Sequence, residues 1–183
     1  MPSSSSSSQS PPTTNPRPHQ KIEHVTIIHA PIETVWRALL DVNDWNWNKW
    51  TKLEAGTPAV GLQGTLMACY EGNDKDWKAF AFEFAEVDSE SHTLAWKGSV
   101  GPFDGCLFHG YHTMRLEIVP STSTTTTTTT VSANAPNETK LIHTEVFRGL
   151  LPILRVGLPY SKLDRNYRLM NEALKAFVET QSQ

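Results

Sequence analysis

The sequence predicts an α+β domain in which a curved antiparallel sheet wraps one long helix, and three observations predict it. The first is the run from Ser161 to Thr180. There Leu163, Tyr167, Met170, Leu174 and Phe177 recur at helical spacing, while Lys162, Arg165, Arg168, Glu172, Lys175 and Glu179 fall opposite. A helix that is apolar along one side needs a surface to lie on. The second observation is that most of the chain before it reads as short alternating stretches rich in β-branched and aromatic residues, the pattern of strands with one buried face. The third is size, because 183 residues suit one domain with tails, whereas two cores would each bury too little surface. A sheet bent around a helix can stop short of closing on it, and a gap lined by aromatic rings is a ligand site.

In chain order, residues 1–20 are rich in Ser, Pro and Thr with almost no large apolar side chain, so a disordered tail is expected before a domain at 21–180. Lys21 to His29 alternates and forms the first strand. Ala30-Pro31 ends it, and Pro31 suits the start of a helix that runs to about Asp41 with Val35, Trp36, Leu39 and Leu40 on its apolar side. Trp45, Trp47 and Trp50 follow within six residues, in a short helix or turn. Their rings either rim a cavity or plug the end of the core. Gly56 to Gly64 is turn chemistry, Thr65 to Tyr70 a strand and Glu71 to Asp76 a polar hairpin loop. Trp77 to Val87 is a strand whose Phe80, Phe82 and Phe84 share one parity and mark the inner face of the sheet.

Asp88 to Ser91 turns the chain into the strand His92 to Ser99, with Leu94 and Trp96 in phase, and Gly98 to Gly105 is a further loop. Cys106 to Val119 is long enough to cross the sheet. Cys106, Phe108, His112, Met114, Leu116 and Ile118 take its inward parity, which leaves His109 and Tyr111 exposed. Residues 120–138 hold a run of threonines and read as a disordered, low-complexity loop insertion facing away from the site. Thr139 to Phe147 is the last strand. Both its faces carry apolar groups, and the row Leu141, His143, Glu145 and Phe147 is taken as inward. Gly149 to Pro159 is apolar, and Gly157 and Pro159 should bend or break any helix there before Ser161 caps the long one.

Composition narrows the function classes. The formal net charge is -3 with a pI near 6.1, and the basic residues are scattered among acidic ones, so no nucleic-acid partner is expected. Cys69 and Cys106 form no CxxC pair and no zinc spacing, which points to buried thiols, no disulfide and no metal. No apolar run is long enough for an integral membrane segment, and no secretory signal is visible. A cytoplasmic location is expected, with a mitochondrial one as the alternative because the Ser-rich start lacks acidic residues before Glu23. The sequon at Asn137 should then stay unmodified. There is no phosphate-cradling glycine motif, no nucleophile elbow, no Rossmann fingerprint and no Rieske ligand set, so no cofactor is expected.

The groups that can do chemistry converge on the inner face. His112 and Glu145, or His143, sit on strands that a hairpin brings together, and an imidazole beside a carboxylate is a general acid/base pair for aldol condensation or dehydration. The plainer reading is a core histidine satisfied by its neighbour. Trp47, Phe82, Trp96, Phe108 and Phe147 are the expected aromatic wall, and Tyr70, Tyr167 and Asn171 can hydrogen-bond a ligand carbonyl. Arg148 can clamp a carboxylate at the mouth or simply end its strand in solvent.

The order strand, helix, short aromatic helix, six strands and long helix resembles the START-like superfamily, in its SRPBCC or polyketide cyclase/dehydrase branch. The residues that carry the resemblance are Ala30-Pro31 with Val35-Trp36, Trp47-Asn48, Leu94-Ala95-Trp96, Phe108 to His112, Glu145 to Leu151 and Met170 to Lys175. It covers about residues 21–180 without the threonine insertion, and implies a helix-grip fold with a hydrophobic cavity. It does not imply one reaction, because members include aromatic polyketide cyclases, lipid carriers, coenzyme Q-binding proteins and plant hormone or allergen-type binders. The leading expectation is therefore binding of a polyketide, lipid or quinone between sheet and helix. The alternative is a cyclase or dehydratase that uses His112 and Glu145, and a protein-interaction module on the same fold is a third reading.

Overall fold

The computed structural model describes residues 20–100, 107–119, 138–154 and 157–181. Residues 1–19 of the expected disordered tail, residues 120–137 of the expected threonine insertion with its sequon at Asn137, residues 101–105 of the expected loop and Cys106 lie outside the described residues. Glu138, by contrast, opens the last strand, and residues 98–100 continue a strand instead of a loop. The elements in chain order are β1 (Lys21–Ile28), α1 (Ile32–Leu40), a single 3-10 turn (Val42–Asp44), β2 (Thr51–Glu54), β3 (Gln63–Cys69), β4 (Trp77–Asp88), β5 (Thr93–Val100), β6 (Phe108–Val119), β7 (Glu138–Arg148), α2 (Leu150–Leu154) and α3 (Tyr160–Gln181).

The strands form one sheet in the order β1-β7-β6-β5-β4-β3-β2, every pair antiparallel. The first strand thus pairs with the last, and the sheet can curve while its middle strands follow one another as hairpins. A β-bulge between Phe84 and Glu86 interrupts the β4–β5 register, and a bulge bends a strand and sharpens its twist. Helix α3 lies on the concave face, with no helix among the described residues long and apolar enough to cross a membrane.

The two ends of α3 are bound differently. Met170, Leu174 and Val178 are fully buried in one cluster with Ile28, Val35, Leu39, Phe84, Leu94, Met114 and Leu141. Burial of each such side chain contributes roughly 1.5–3 kcal/mol, so this half of the helix closes tightly on the sheet. The other half joins a smaller cluster in which Ile22, Phe147 and Tyr167 are packed by Phe108, Leu158, Tyr160 and Leu163. Polar ties hold it at its edges. His24 Nε2 meets the backbone oxygen of Asp164 at 3.0 Å, Asn166 Nδ2 donates to the Tyr70 carbonyl at 3.0 Å, and the Tyr160 hydroxyl donates to the Lys21 carbonyl.

Several expectations are corrected. The long helix begins at Tyr160, with Lys162 N and Leu163 N bonded to the Pro159 carbonyl, so Ser161 lies inside the first turn instead of capping it. Ile118 is exposed, because β6 runs past the edge of the core near its end, and Tyr111 and His109 are half-buried. β2, the one of the six strands after the short helix that the residue pattern does not place, is only four residues long. It begins where Asn48 Oδ1 accepts from the backbone of Trp50 and Thr51. Trp45 plugs the closed end, its Nε1 donating to the carbonyls of Ala38 and Leu39 at 3.2 Å each. After β7, Gly149 turns the chain at φ +105°, where a Cβ would lie 2.7 Å from the Leu107 carbonyl oxygen.

The asymmetry of α3 has a measurable consequence. Leu174→Ala should cost about 2–5 kcal/mol in urea unfolding, the range for a cavity opened in a packed core. Leu163→Ala, at the looser end, should cost about 1 kcal/mol or less, since its side chain already borders open space. Equal costs would contradict the one-sided closure.

Candidate functional site

Sheet register alone assembles the polar end of the site. Trp96 on β5 pairs with His112 on β6, and His112 pairs with Glu145 on β7, so the three side chains form one row across the concave face. In the next inward row Met114 pairs with His143, which sets His143 diagonal to His112. The Trp96 indole stacks on the His112 ring with centroids 4.0 Å apart and planes at 14°. His112 Nε2 lies 2.6 Å from His143 Nε2, and His143 Nδ1 lies 2.6 Å from Oδ1 of Asn171 on α3. Asn171 in turn donates from Nδ2 to Thr26 Oγ1 at 3.2 Å. One turn earlier on α3, the Tyr167 hydroxyl donates to Glu145 Oε2. Gly110 makes room for this carboxyl, since a Cβ there would sit 2.8 Å from Glu145 Oε1.

Beyond this row, under the N-terminal half of α3, lies a cavity of about 760 Å³, well within the size range of small-molecule sites. Its apolar wall includes Trp50, Leu66, Phe80, Phe82, Trp96, Phe108, Phe147 and Leu163. Tyr70, His112, Glu145, Asn166 and Tyr167 supply polar groups, and the exposed Lys78 and Lys162 also border it.

Of the residues singled out in the sequence, Tyr70, Phe82, Trp96, Phe108, His112, Glu145, Phe147 and Tyr167 all line this cavity. Trp47, His143 and Asn171 do not. Trp47 packs against Trp45 and Phe177, at centroid distances of 5.4 and 6.4 Å, and Trp50 takes the place on the wall expected of it. His143 is fully buried behind His112, and Asn171 is spent on His143 and Thr26 instead of facing the cavity. Arg148 is exposed and is not among the lining residues. Asn166 and Thr26 were missed. Asn166 could have been found, because it precedes Met170 by four residues and so lies on the buried side of α3, where a polar side chain needs a partner.

Electrostatics change the expected chemistry. Burial drives the Glu145 carboxyl up to about 8 and the His112 imidazole down to about 3. The pair is 3.6 Å apart, but at neutral pH it is a carboxylic acid beside an uncharged imidazole and not the carboxylate pair read from the sequence. His143 is also held well below the ordinary histidine range, first by burial and then by His112, with the Asn171 hydrogen bond opposing. Tyr70 is raised, first by burial and then by Glu145.

A folded-state value above the ordinary 4.5 means that Glu145 favours folding fully below about pH 4.5, and that this contribution is lost as pH rises to about 8. Wild type should therefore lose stability relative to Glu145→Gln by at most about 1.4 kcal/mol per pH unit across that window. Urea midpoints of the two proteins that keep a constant separation from pH ~5 to ~8 would show that the carboxyl is not held neutral.

Solved structures of low identity share the fold. The Zhui aromatase/cyclase from Streptomyces sp. R1128 is 16% identical with a TM-score of 0.63, covering 89% of this chain and 95% of that one. A START superfamily protein from Mycobacterium smegmatis is 16% identical with a TM-score of 0.59, covering 88% and 98%. Truncated norcoclaurine synthase from Thalictrum flavum is 15% identical with a TM-score of 0.55, covering 86% and 92%. No curated protein sequence matches the chain. The model of the family described as polyketide cyclase / dehydrase and lipid transport matches residues 19–179. The helix-grip architecture and this match together place the chain as a member of the polyketide cyclase / dehydrase and lipid transport family.

Proposed function

We propose that this protein binds a hydrophobic small molecule, of polyketide, lipid or quinone type, in the cavity between the sheet and the N-terminal half of α3. The observation that carries the reading is a cavity of about 760 Å³ walled by aromatic rings from β4, β5, β6 and β7 and left open while the same helix seals the other end of the sheet. Removing apolar ligand surface from water against such a wall gives roughly 25 cal/mol per Å² before the costs of association. The few inward polar groups then fix orientation. Membership in a family whose description spans cyclases and lipid transport is consistent with this class of ligand.

A second reading, a cyclase or dehydratase, is favoured by one feature. Glu145, His112 and the Tyr167 hydroxyl meet at the wall of the cavity, where an acid and a base side by side can move protons on a folded carbonyl chain. The likeness of fold to the Zhui aromatase/cyclase supports considering it.

One set of variants tests both readings. Ala68 borders the cavity, and Ala68→Trp should fill it and weaken binding of a fluorescent polycyclic hydrocarbon at least about tenfold while leaving the fold intact by circular dichroism. Undiminished binding would remove the cavity as the site. His112→Ala and Glu145→Gln should keep most of that affinity in a carrier. If a turnover assay on a poly-β-ketone substrate shows activity, each should lower the rate on the order of a hundredfold or more. Unchanged turnover in both would end the acid/base reading.

A further inference from the structure

The hydrogen bonds behind the cavity have a direction, and that direction determines what the cavity's polar groups offer a ligand. Asn171 turns its amide nitrogen to Thr26 Oγ1, 3.2 Å away, and its carbonyl oxygen to His143 Nδ1, 2.6 Å away. A carbonyl oxygen only accepts, so His143 carries its proton on Nδ1. Nε2 of that neutral ring is then bare, and it meets His112 Nε2 at 2.6 Å. Two bare nitrogens at that distance would repel, so His112 donates from Nε2 and keeps Nδ1 bare. This nitrogen faces Glu145 Oε2 across 3.6 Å, too far for a shared proton. Oε2 already accepts from the Tyr167 hydroxyl. The proton of the neutral carboxyl is therefore left to Oε1, the oxygen for which Gly110 leaves space.

We propose that the polar wall of the cavity holds a neutral carbonyl group of an apolar ligand, with Glu145 Oε1–H donating to the carbonyl oxygen and His112 Nδ1 accepting beside it from a neighbouring hydroxyl. His143, Asn171 and Thr26 are positioning residues that set this polarity and do not touch the ligand. A carboxylate in the same place would meet a carboxyl group, a hydroxyl and a bare imidazole nitrogen, with no buried cation among the described residues to offset its desolvation. The two lysines bordering the cavity, Lys78 and Lys162, are exposed, and Lys162 is paired with Glu71. A hydrocarbon with no acceptor would leave the Glu145 donor unsatisfied. The ligand class is thus a ketone or hydroxyketone with a large apolar body. This rests on the reading of the cavity as an apolar ligand site, and the experiment separates the two claims.

The full chain is titrated with pyrene and with 1-acetylpyrene, which share a four-ring body and differ in one carbonyl. Wild type should bind 1-acetylpyrene about tenfold more tightly than pyrene. Glu145→Gln should keep that preference, because an amide N–H still donates, while Glu145→Leu should abolish it, chiefly by tightening pyrene, whose binding then leaves no buried donor unsatisfied. Equal affinity of wild type for the two probes overturns the carbonyl assignment and leaves the cavity reading standing. Failure of both probes to bind overturns both. The polarity is read independently from long-range nitrogen-15 correlations of the His112 ring in wild type. The expected state is protonated Nε2 with bare Nδ1, and the opposite tautomer overturns the proposal without any variant needing to fold. Asn171→Leu should lose the fixed tautomer and reduce the preference for 1-acetylpyrene, and Asn171→Asp, which keeps the acceptor, should restore both.

Discussion

Everything in this molecule depends on where α3 touches the sheet and where it is held off. Met170, Leu174 and Val178 sink into the sheet together with α1 and the rings of Trp45 and Trp96, and that dry contact anchors the helix. Toward its N-terminus the same helix is tied mostly at its edges, by His24 with Asp164, by Asn166 to the Tyr70 carbonyl and by Tyr160 to the Lys21 carbonyl. Edge hydrogen bonds fix the distance between two surfaces without filling the space between them. The hollow follows from this division of labour along one helix.

The boundary between the sealed and open halves is polar. His143 and Asn171 are fully buried and His112 nearly so, and their hydrogen bonds to one another and to Thr26 satisfy groups that would otherwise be costly inside a core. Such a chain does more than satisfy itself. By linking β1, β6, β7 and α3 it holds the His112 ring against Trp96, so the face that meets the cavity is presented in one orientation. Binding and catalysis would use the same wall. They differ in whether the acid and the imidazole only orient a carbonyl or also exchange protons with it.

Much of this was legible in the sequence, and what was not has physical causes. The parity of Phe80, Phe82 and Phe84, and of His112 with Met114, identified the inner face because side chains alternate strictly along a strand. The row through Leu141, His143, Glu145 and Phe147 was ambiguous, since the opposite row is also partly apolar, and burial shows it to be inward. The pairing of His112 with Glu145 could be approached only as two strands brought together by a hairpin. No turn signal between residues 120 and 138 fixes that register, and a shift of two residues would have placed His143 or Phe147 opposite instead. Trp47 was assigned to the wall and Trp50 was not, because three tryptophans in irregular structure have no period from which to read direction. The helix reads as an apolar stripe, and its two buried asparagines lie within reach of that reading, Asn171 as a candidate ligand contact and Asn166 four residues before Met170, but their bonds to Tyr70 and Thr26, 96 and 145 positions away, appear only in the fold.

The central claim is that the space under the N-terminal half of α3 is a real apolar hollow, and it is tested most directly by soaking a crystal of the protein with 1-bromonaphthalene and locating bromine by anomalous scattering. The account predicts an anomalous peak enclosed by Phe82, Phe108 and Phe147, with α3 and the sheet unmoved. A crystal in which those rings have collapsed onto Leu163 and Tyr167, with no bromine between them, would contradict it.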